Sequence, residues 1–187
     1  MKRIVFGAVT FIGSLFAVKA IRLPAIASLH ATSPTQTTNV APAPPNKPLI
    51  LAQSRFDAQL LQLTNEQRRR AGLQPLKLSS QLGQAAQSHA QDMAQNNIFS
   101  HTGSNGSTMV DRVKNVGYSY SFVGENIAAG GATPEATIQQ WMNSPGHRRN
   151  ILNPNFTEIG FGYVAAPNTQ YRHYWVQVFG YPRNPRR

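Results

Sequence analysis

The chain has 187 residues, among them 18 Lys or Arg, seven Asp or Glu and no Cys. This length accommodates one ordinary domain with extensions, or two small domains, and a hydrophobic content of 41% excludes a wholly disordered chain. The absence of cysteine excludes a disulfide scaffold, a thiolate zinc site, an iron–sulfur cluster and a cysteine nucleophile.

The positive charge is concentrated at the two ends of the chain. The formal net charge is +11. Eight of the 18 basic residues, and none of the seven acidic residues, lie outside residues 54–182. The central body therefore carries only +3. A body of such low charge gives little support for nucleic-acid binding, so we expect no nucleic-acid partner.

The first 27 residues are typical of a secretory signal peptide. Lys2 and Arg3 precede an uncharged stretch over residues 4–18, and small residues at Ala20 and Ala27 suit a cleavage point. The apolar stretch is shorter than the roughly 20 residues of a membrane-spanning helix. A cleaved signal is therefore favoured over an uncleaved anchor, and the protein is expected to be secreted or extracytoplasmic. Membrane attachment is expected only through this segment, if it stays uncleaved.

A Pro- and Thr-rich tether is predicted over residues 28–53. Residues 31–48 contain five Pro and four Thr, and proline continues neither a helix nor a strand ladder. This composition predicts an extended, passive spacer. The folded domain is predicted over residues 54–182, with residues 183–187 as a short basic tail.

Four helices are predicted in the body. The first runs from Ser54 to Arg70, and its final three arginines are interpreted as a solvated helix end. The second begins at Ser79 or Ser80 and continues to about Asn96. Its apolar face carries Leu82, Ala86, His89 and Met93. A short helix follows over residues 108–115, and another over residues 134–143, where proline suits the first turn.

Three strands are predicted, and two of them close the chain. Residues 118–122 alternate with a period of two, whereas residues 156–164 and 171–179 flank a turn and form a hairpin. Residues 144–146 are interpreted as a turn. Helices followed by an antiparallel hairpin predict an α+β fold rather than a parallel Rossmann sheet.

Two of the five histidines stand out as candidates for chemistry. His101 and His147 lie beside small, turn-forming residues, which is typical of functional loops. His89 is interpreted as a hydrogen-bonded core residue because it lies on an apolar helix face. His173, on the last strand, is a weak candidate for a site. Glu125 follows a glycine at a predicted strand end.

His101, His147 and Glu125 suit two kinds of chemistry. Two imidazoles and a carboxylate match a three-ligand zinc site with an open water position, and they equally match a general acid and base. Intervals of 24 and 22 residues separate them, so no single helix or strand brings them together. The spacing alone leaves both alternatives open.

Four ordered motifs resemble the CAP superfamily, also called the SCP or PR-1-like domain. They are FSHTGSNGSTMVDRV, VGENIAAG, WMNSPGHRRNILNPNFTEIGFGY and YWVQVFG. The resemblance is closest to the compact, cysteine-free bacterial branch. It implies an α-β-α sandwich with an antiparallel sheet between helical layers. It also implies a central cleft in which His101, Glu125 and His147 match the residues that bind a divalent cation, expected to be zinc.

The sequence departs from many animal and plant members of that family at one position of the cleft. Those members carry a second Glu shortly after a Trp, whereas Met142, Asn143 and Ser144 follow Trp141 here. We therefore expect an extracellular binding or interaction module with a cation-binding cleft, whose partner is a protein, peptide or lipid. The alternatives are a metal-dependent peptidase, with Glu125 as its catalytic proton shuttle, and a lipid- or sterol-binding protein.

Overall fold

The computed structural model describes residues 47–183, with side chains from residue 55 onward. The predicted signal peptide, the first part of the tether and the last four residues lie outside this range. The elements in chain order are α1 (Lys47–Arg70), β1 (Lys77–Leu78), α2 (Ser80–Gln95), α3 (Met109–Asn115), β2 (Tyr120–Ala129), α4 (Pro134–Asn143), α5 (Pro145–Ile151), β3 (Glu158–Ala166) and β4 (Arg172–Pro182).

One four-stranded sheet, in the order β1-β3-β4-β2, organises the domain. β4 pairs antiparallel with β3 on one side and with β2 on the other. The β3–β4 hairpin was predicted and is confirmed. β1 adds two residues parallel to β3, with Leu78 opposite Ile159, so the sheet is mixed at that edge alone.

Helices cover both faces of this sheet, which confirms the α-β-α sandwich. Alternate residues of β4 enter two separate cores, as the period of a strand requires. Tyr174 and Val176 pack with α2 and α3 in one core. Trp175 and Phe179 pack with side chains of α1, α4 and α5 in the other. The predicted apolar face of α2 is also confirmed, because all four of its predicted members are completely buried.

Glycines in β3 allow α2 to approach the sheet closely. A Cβ atom on Gly160 would lie 2.0 Å from the backbone nitrogen of Gly83, and a Cβ on Gly162 would lie 2.4 Å from the backbone of Ala86. Real Cβ atoms do not approach other atoms so closely. These two glycines therefore set the spacing between α2 and the sheet.

Several predicted element boundaries are wrong. α1 begins at Lys47 rather than at Ser54. β2 continues to Ala129 instead of ending near Phe122, because its second half is buried on both faces and so lacks the polar–apolar alternation of a half-buried strand. The predicted turn at residues 144–146 is the start of α5, where Pro145 occupies the first helical turn.

The predicted solvated end of α1 is wrong for one of its three arginines. Arg68 is 1% exposed. Its guanidinium donates to the carbonyl oxygens of Gln74, Ile151, Asn153 and Phe156, at 2.8 to 3.3 Å. Arg69 and Arg70 are exposed, as predicted. Arg68 thus fastens α1 to the segment that follows α5.

None of the helices within the described part of the chain combines the length and the apolar character needed to cross a membrane.

Candidate functional site

A buried carboxylate lies at the centre of the candidate site. Glu125 is in the middle of β2, not at a strand end as predicted, and only 3% of its side chain is exposed. Arg112 of α3 forms an ion pair with it, and its Nη2 lies 2.9 Å from Oε2 and 3.2 Å from Oε1. Because a buried charge requires a partner, Arg112 supplies the countercharge for the Glu125 carboxylate beneath the surface.

His101 lies above this pair, in the loop between α2 and α3. Its side chain is 56% exposed, and its Nδ1 lies 2.8 Å from Oε1 of Glu125. A carboxylate oxygen accepts this hydrogen bond, so Nδ1 donates it, and in the neutral form of the ring Nε2 then has the free lone pair. Arg112 also donates to the backbone oxygen of His101. The loop is thereby held by the same arginine that neutralises Glu125.

His89 forms the floor of the site. It is completely buried, and its Nε2 lies 2.9 Å from the backbone oxygen of Ser100 and 4.0 Å from Oε1 of Glu125. Burial lowers the pKa of His89, although the charge of Glu125 opposes this shift. The prediction of a hydrogen-bonded core histidine is confirmed.

His147 approaches the site from α5, not from a loop as predicted. Its Nδ1 is buried and has no hydrogen-bond partner among the described residues. Burial lowers the pKa of His147, and the electrostatic effect of His101 lowers it further. Burial and the charge of His101 both favour the neutral form of the His147 ring. The backbone of His147 lies beside β2, because Asn126, the residue after Glu125, donates to its oxygen at 3.1 Å.

The geometry gives the three predicted residues different roles with respect to a cation. His101 and His147 supply ring nitrogens, whereas both oxygens of Glu125 already bind His101 and Arg112. Within the described residues, no group of three or more His, Cys, Asp or Glu side chains is placed to hold a metal ion. The two imidazoles are therefore the groups available to a cation, and Glu125 binds Nδ1 of His101 from beneath.

His173 lies outside the candidate site. Its Nδ1 is 2.9 Å from the hydroxyl of Tyr163, and the two rings are stacked.

Sequence reasoning missed Arg112, Asn126 and Asn150. Arg112 is the partner of Glu125, and the two asparagines connect the backbones of Glu125 and His147 beneath the site. A capping box at Thr108 and Asp111 begins α3 and marks the short helix that carries Arg112. It does not indicate where that side chain points, because the pairing with Glu125 is a tertiary contact.

Comparison with known proteins identifies the family of this chain. The model of the cysteine-rich secretory protein family, abbreviated CAP, matches residues 61–179. A protein of Bacillus subtilis (strain 168) called YkwD is 41% identical over 145 residues, which are 78% of this chain and 51% of that protein. The chain therefore spans about half the length of this relative.

Solved structures agree with this comparison. An extracellular protein containing an SCP domain, from Bacillus anthracis str. Ames, has a TM-score of 0.64 and 34% identity, over 75% of this chain and 44% of that one. An outer surface protein of Borrelia burgdorferi has a TM-score of 0.62 and 23% identity, over 67% of this chain and 92% of that one. At this lower identity the likeness concerns the fold alone. The chain itself belongs to the cysteine-rich secretory protein (CAP) family, although it contains no cysteine.

Proposed function

We propose that this protein is an extracytoplasmic binding module whose cleft holds a divalent cation, expected to be zinc, between His101 and His147. The observation that carries the proposal is the orientation of His101. The buried Glu125 binds its Nδ1 and leaves Nε2 free, while the next residue of β2, Asn126, binds the backbone oxygen of His147 at 3.1 Å. A carboxylate that orients a histidine in this way is the usual outer partner of a metal-binding imidazole.

The cation in this proposal organises a binding surface. Two protein ligands leave several coordination positions, which water or an acidic group of an extracellular protein or peptide partner would complete. His101 lies in an exposed loop, so a cation shared with His147 on α5 would hold that loop and α5 in one arrangement. Ordering of this kind gives a partner a preformed surface.

Hydrolysis of peptides has less support in this geometry. A general base in a metal-dependent peptidase needs a carboxylate that accepts a proton from metal-bound water. Both oxygens of Glu125 already accept hydrogen bonds from His101 and Arg112. Glu125 is therefore better suited to orienting His101 than to transferring protons.

Export of the protein is part of the proposal. It rests on the signal-like residues 1–27 and on a solved relative, 34% identical, that is described as an extracellular protein. We expect a bacterial host to release a form that begins after Ala20 or Ala27, measured as the intact mass of the exported protein. Retention of the uncleaved chain inside the cell would contradict export.

Thermal unfolding with and without zinc tests the cation site. Zinc at 100 times its Kd is expected to stabilise the folded protein by about 2.7 kcal/mol, which raises the Tm of a domain of this size by on the order of 10 °C. His101→Ala and His147→Ala should each abolish this rise. His173→Ala is the matched control, because His173 lies outside the site and its loss should leave the rise intact. A zinc-dependent rise that persists in His101→Ala would refute the assignment.

A further inference from the structure

Two asparagine side chains tie together the backbones that carry the candidate site. Nδ2 of Asn126 donates to the backbone oxygen of His147 at 3.1 Å. Nδ2 of Asn150 donates to the backbone oxygen of Glu125, also at 3.1 Å. The two side chains are bonded to each other, since Nδ2 of Asn150 also donates to Oδ1 of Asn126 at 2.8 Å. One hydrogen-bonded amide pair thus connects β2 with α5 at the residues of the site.

The surroundings leave this amide pair little freedom. Asn126 is completely buried, and the second hydrogen of its Nδ2 is donated to Oε1 of Gln177 at 3.1 Å. Gln177 is also completely buried and donates to the hydroxyl of Thr64 on α1. Every donor of the Asn126 amide is therefore used, and its oxygen is bonded as well. A buried amide with all its partners satisfied fixes its neighbours in one geometry.

The alternation of side chains along β2 explains how the site is built from both faces of the sheet. Glu125 points to the face that α2 covers, where it meets His89 and His101. The next residue, Asn126, points to the opposite face, where α5 packs. Two adjacent residues of β2 thus contact the two histidines. Glu125 binds the ring of His101, and Asn126 binds the backbone oxygen of His147.

We infer that Asn126 and Asn150 are positioning residues, whose joined amides set the distance between β2 and α5 and thereby place His147 opposite His101. This inference rests on the proposed cation site, because the spacing matters only if both rings bind one ligand. Neither asparagine touches the cation. Their effect on affinity arises through the backbone of His147, as with other partners that lie one layer behind a metal ligand.

The test uses two variants in this pair and one matched control elsewhere. Asn126→Leu removes both donors at similar volume, and Asn150→Ala removes the bond to the backbone of Glu125. The control is Asn65→Leu. Asn65 is another buried asparagine that binds backbone, with bonds of 3.0 and 2.8 Å to the oxygen and nitrogen of Leu76. Its loss should reduce stability without moving α5.

Zinc affinity is the first measurement, made by calorimetry on each purified full-length variant. Asn126→Leu and Asn150→Ala are expected to raise the Kd for zinc roughly tenfold or more. Asn65→Leu is expected to keep the parental Kd despite its lower Tm. An equal loss of affinity in all three variants would overturn the inference, because the effect would then reflect general destabilisation.

The histidine ring resonances of the metal-free protein are the second measurement, and they do not require zinc binding. The ring signals of His147, assigned from their absence in His147→Ala, should shift in Asn126→Leu and Asn150→Ala but not in Asn65→Leu. If the parent protein binds no zinc, the proposed function fails and these resonances alone decide the positioning role. Unchanged His147 signals in the two variants would overturn it. Should Asn126→Leu fail to fold, the partly buried Asn150 supplies the deciding variant.

Discussion

Glu125 shows how a single buried side chain depends on its partners. It retains 3% of its side-chain exposure, and Arg112 beside it retains 7%. Removing charges from water costs several kcal/mol per ion, which is recovered only with good geometry and further hydrogen bonds. Arg112 meets most of that condition, because it also donates to the backbone oxygens of Ser107 and His101, while its buried Nε has no partner among the described residues.

Loss of Arg112 alone should be severely destabilising. Arg112→Met leaves the charge of Glu125 buried without its partner, and we expect a loss of about 3–5 kcal/mol in the free energy of unfolding. The double variant Arg112→Met/Glu125→Gln should be more stable than the single variant, because no buried charge remains. Urea unfolding measures both. A single variant no less stable than the double one would contradict the ion pair's role.

The buried histidine predicts a loss of stability in mild acid. Burial lowers the pKa of His89 in the folded protein, whereas the unfolded chain titrates near the ordinary value of about 6.5. The unfolded state therefore binds a proton more readily than the folded state. The stability that neutral His89 contributes is complete above about pH 6.5 and is lost as the pH falls towards the lowered pKa. The pKa of His147 is also lowered, so His147 adds to the loss of stability in acid.

Urea unfolding at about pH 7.5 and pH 5.5 tests this expectation, since carboxyl groups with pKa values near 4 stay ionised at both. The parent should have the lower free energy of unfolding at the lower pH. His89→Gln keeps a donor for the oxygen of Ser100 and should lose less stability between the two conditions. Equal or greater stability of the parent in acid would show that the histidines do not titrate as described.

At the scale of the elements, the contact between α2 and β3 determines how closely the helix lies on the sheet. The helix contributes small residues, among them Ala86 at 0% exposure, and the strand contributes Gly160 and Gly162. Gln87 of the same helix also binds both the backbone nitrogen and the backbone oxygen of Tyr163, at 2.9 and 3.2 Å. The Gln87 amide thus binds backbone groups of β3 on the part of its edge that β1 does not cover, as a neighbouring strand would.

Gly162→Ala should disrupt this contact. The new methyl group would lie 2.4 Å from backbone atoms of Ala86, which cannot move independently of α2. We expect a loss of about 3 kcal/mol in the free energy of unfolding, at the upper end for overpacking.

Gly146→Ala is the matched control for this substitution. Gly146 lies in the first turn of α5, and a Cβ there would have no neighbour within 4 Å. Replacing a helical glycine with alanine is expected to be neutral or to stabilise by about 0.5–1 kcal/mol. Similar effects of the two substitutions on urea unfolding would refute close helix–sheet contact as the cause.

At the scale of the whole molecule, the sequence predicts those helices and strands that are determined by a local pattern of residues. The 3.6-residue period and Ser79 locate α2, and proline at residue 134 locates α4. The hairpin follows from two strand-like runs around a turn. The turn predicted at Pro145 is wrong because proline is favoured both in turns and in the first turn of a helix. The boundaries of β2 were missed because a strand buried on both faces has no alternation to detect.

The candidate site was only partly predictable, for a different physical reason. Histidines and a glutamate in family motifs identify His101, His147 and Glu125. The partners of these three residues are determined by tertiary contacts between separate parts of the sequence. The hydrogen bond from Arg68 to the loop after α5 is another contact of this kind. Arg68 illustrates the difficulty, since its two neighbours are exposed and nothing in the run distinguishes the buried member. The pairing of Arg112 with Glu125 and the asparagine pair beneath the site were hidden in the same way.

The cation site is tested most directly by a calorimetric zinc titration of the purified protein beside the His101→Ala/His147→Ala double variant. The parent should show a single saturable site that the double variant lacks, with both proteins folded as judged by circular dichroism. Absence of binding in the parent, or equal binding in both proteins, would contradict a cation held between these two histidines and would leave the His–Glu cluster with a structural role.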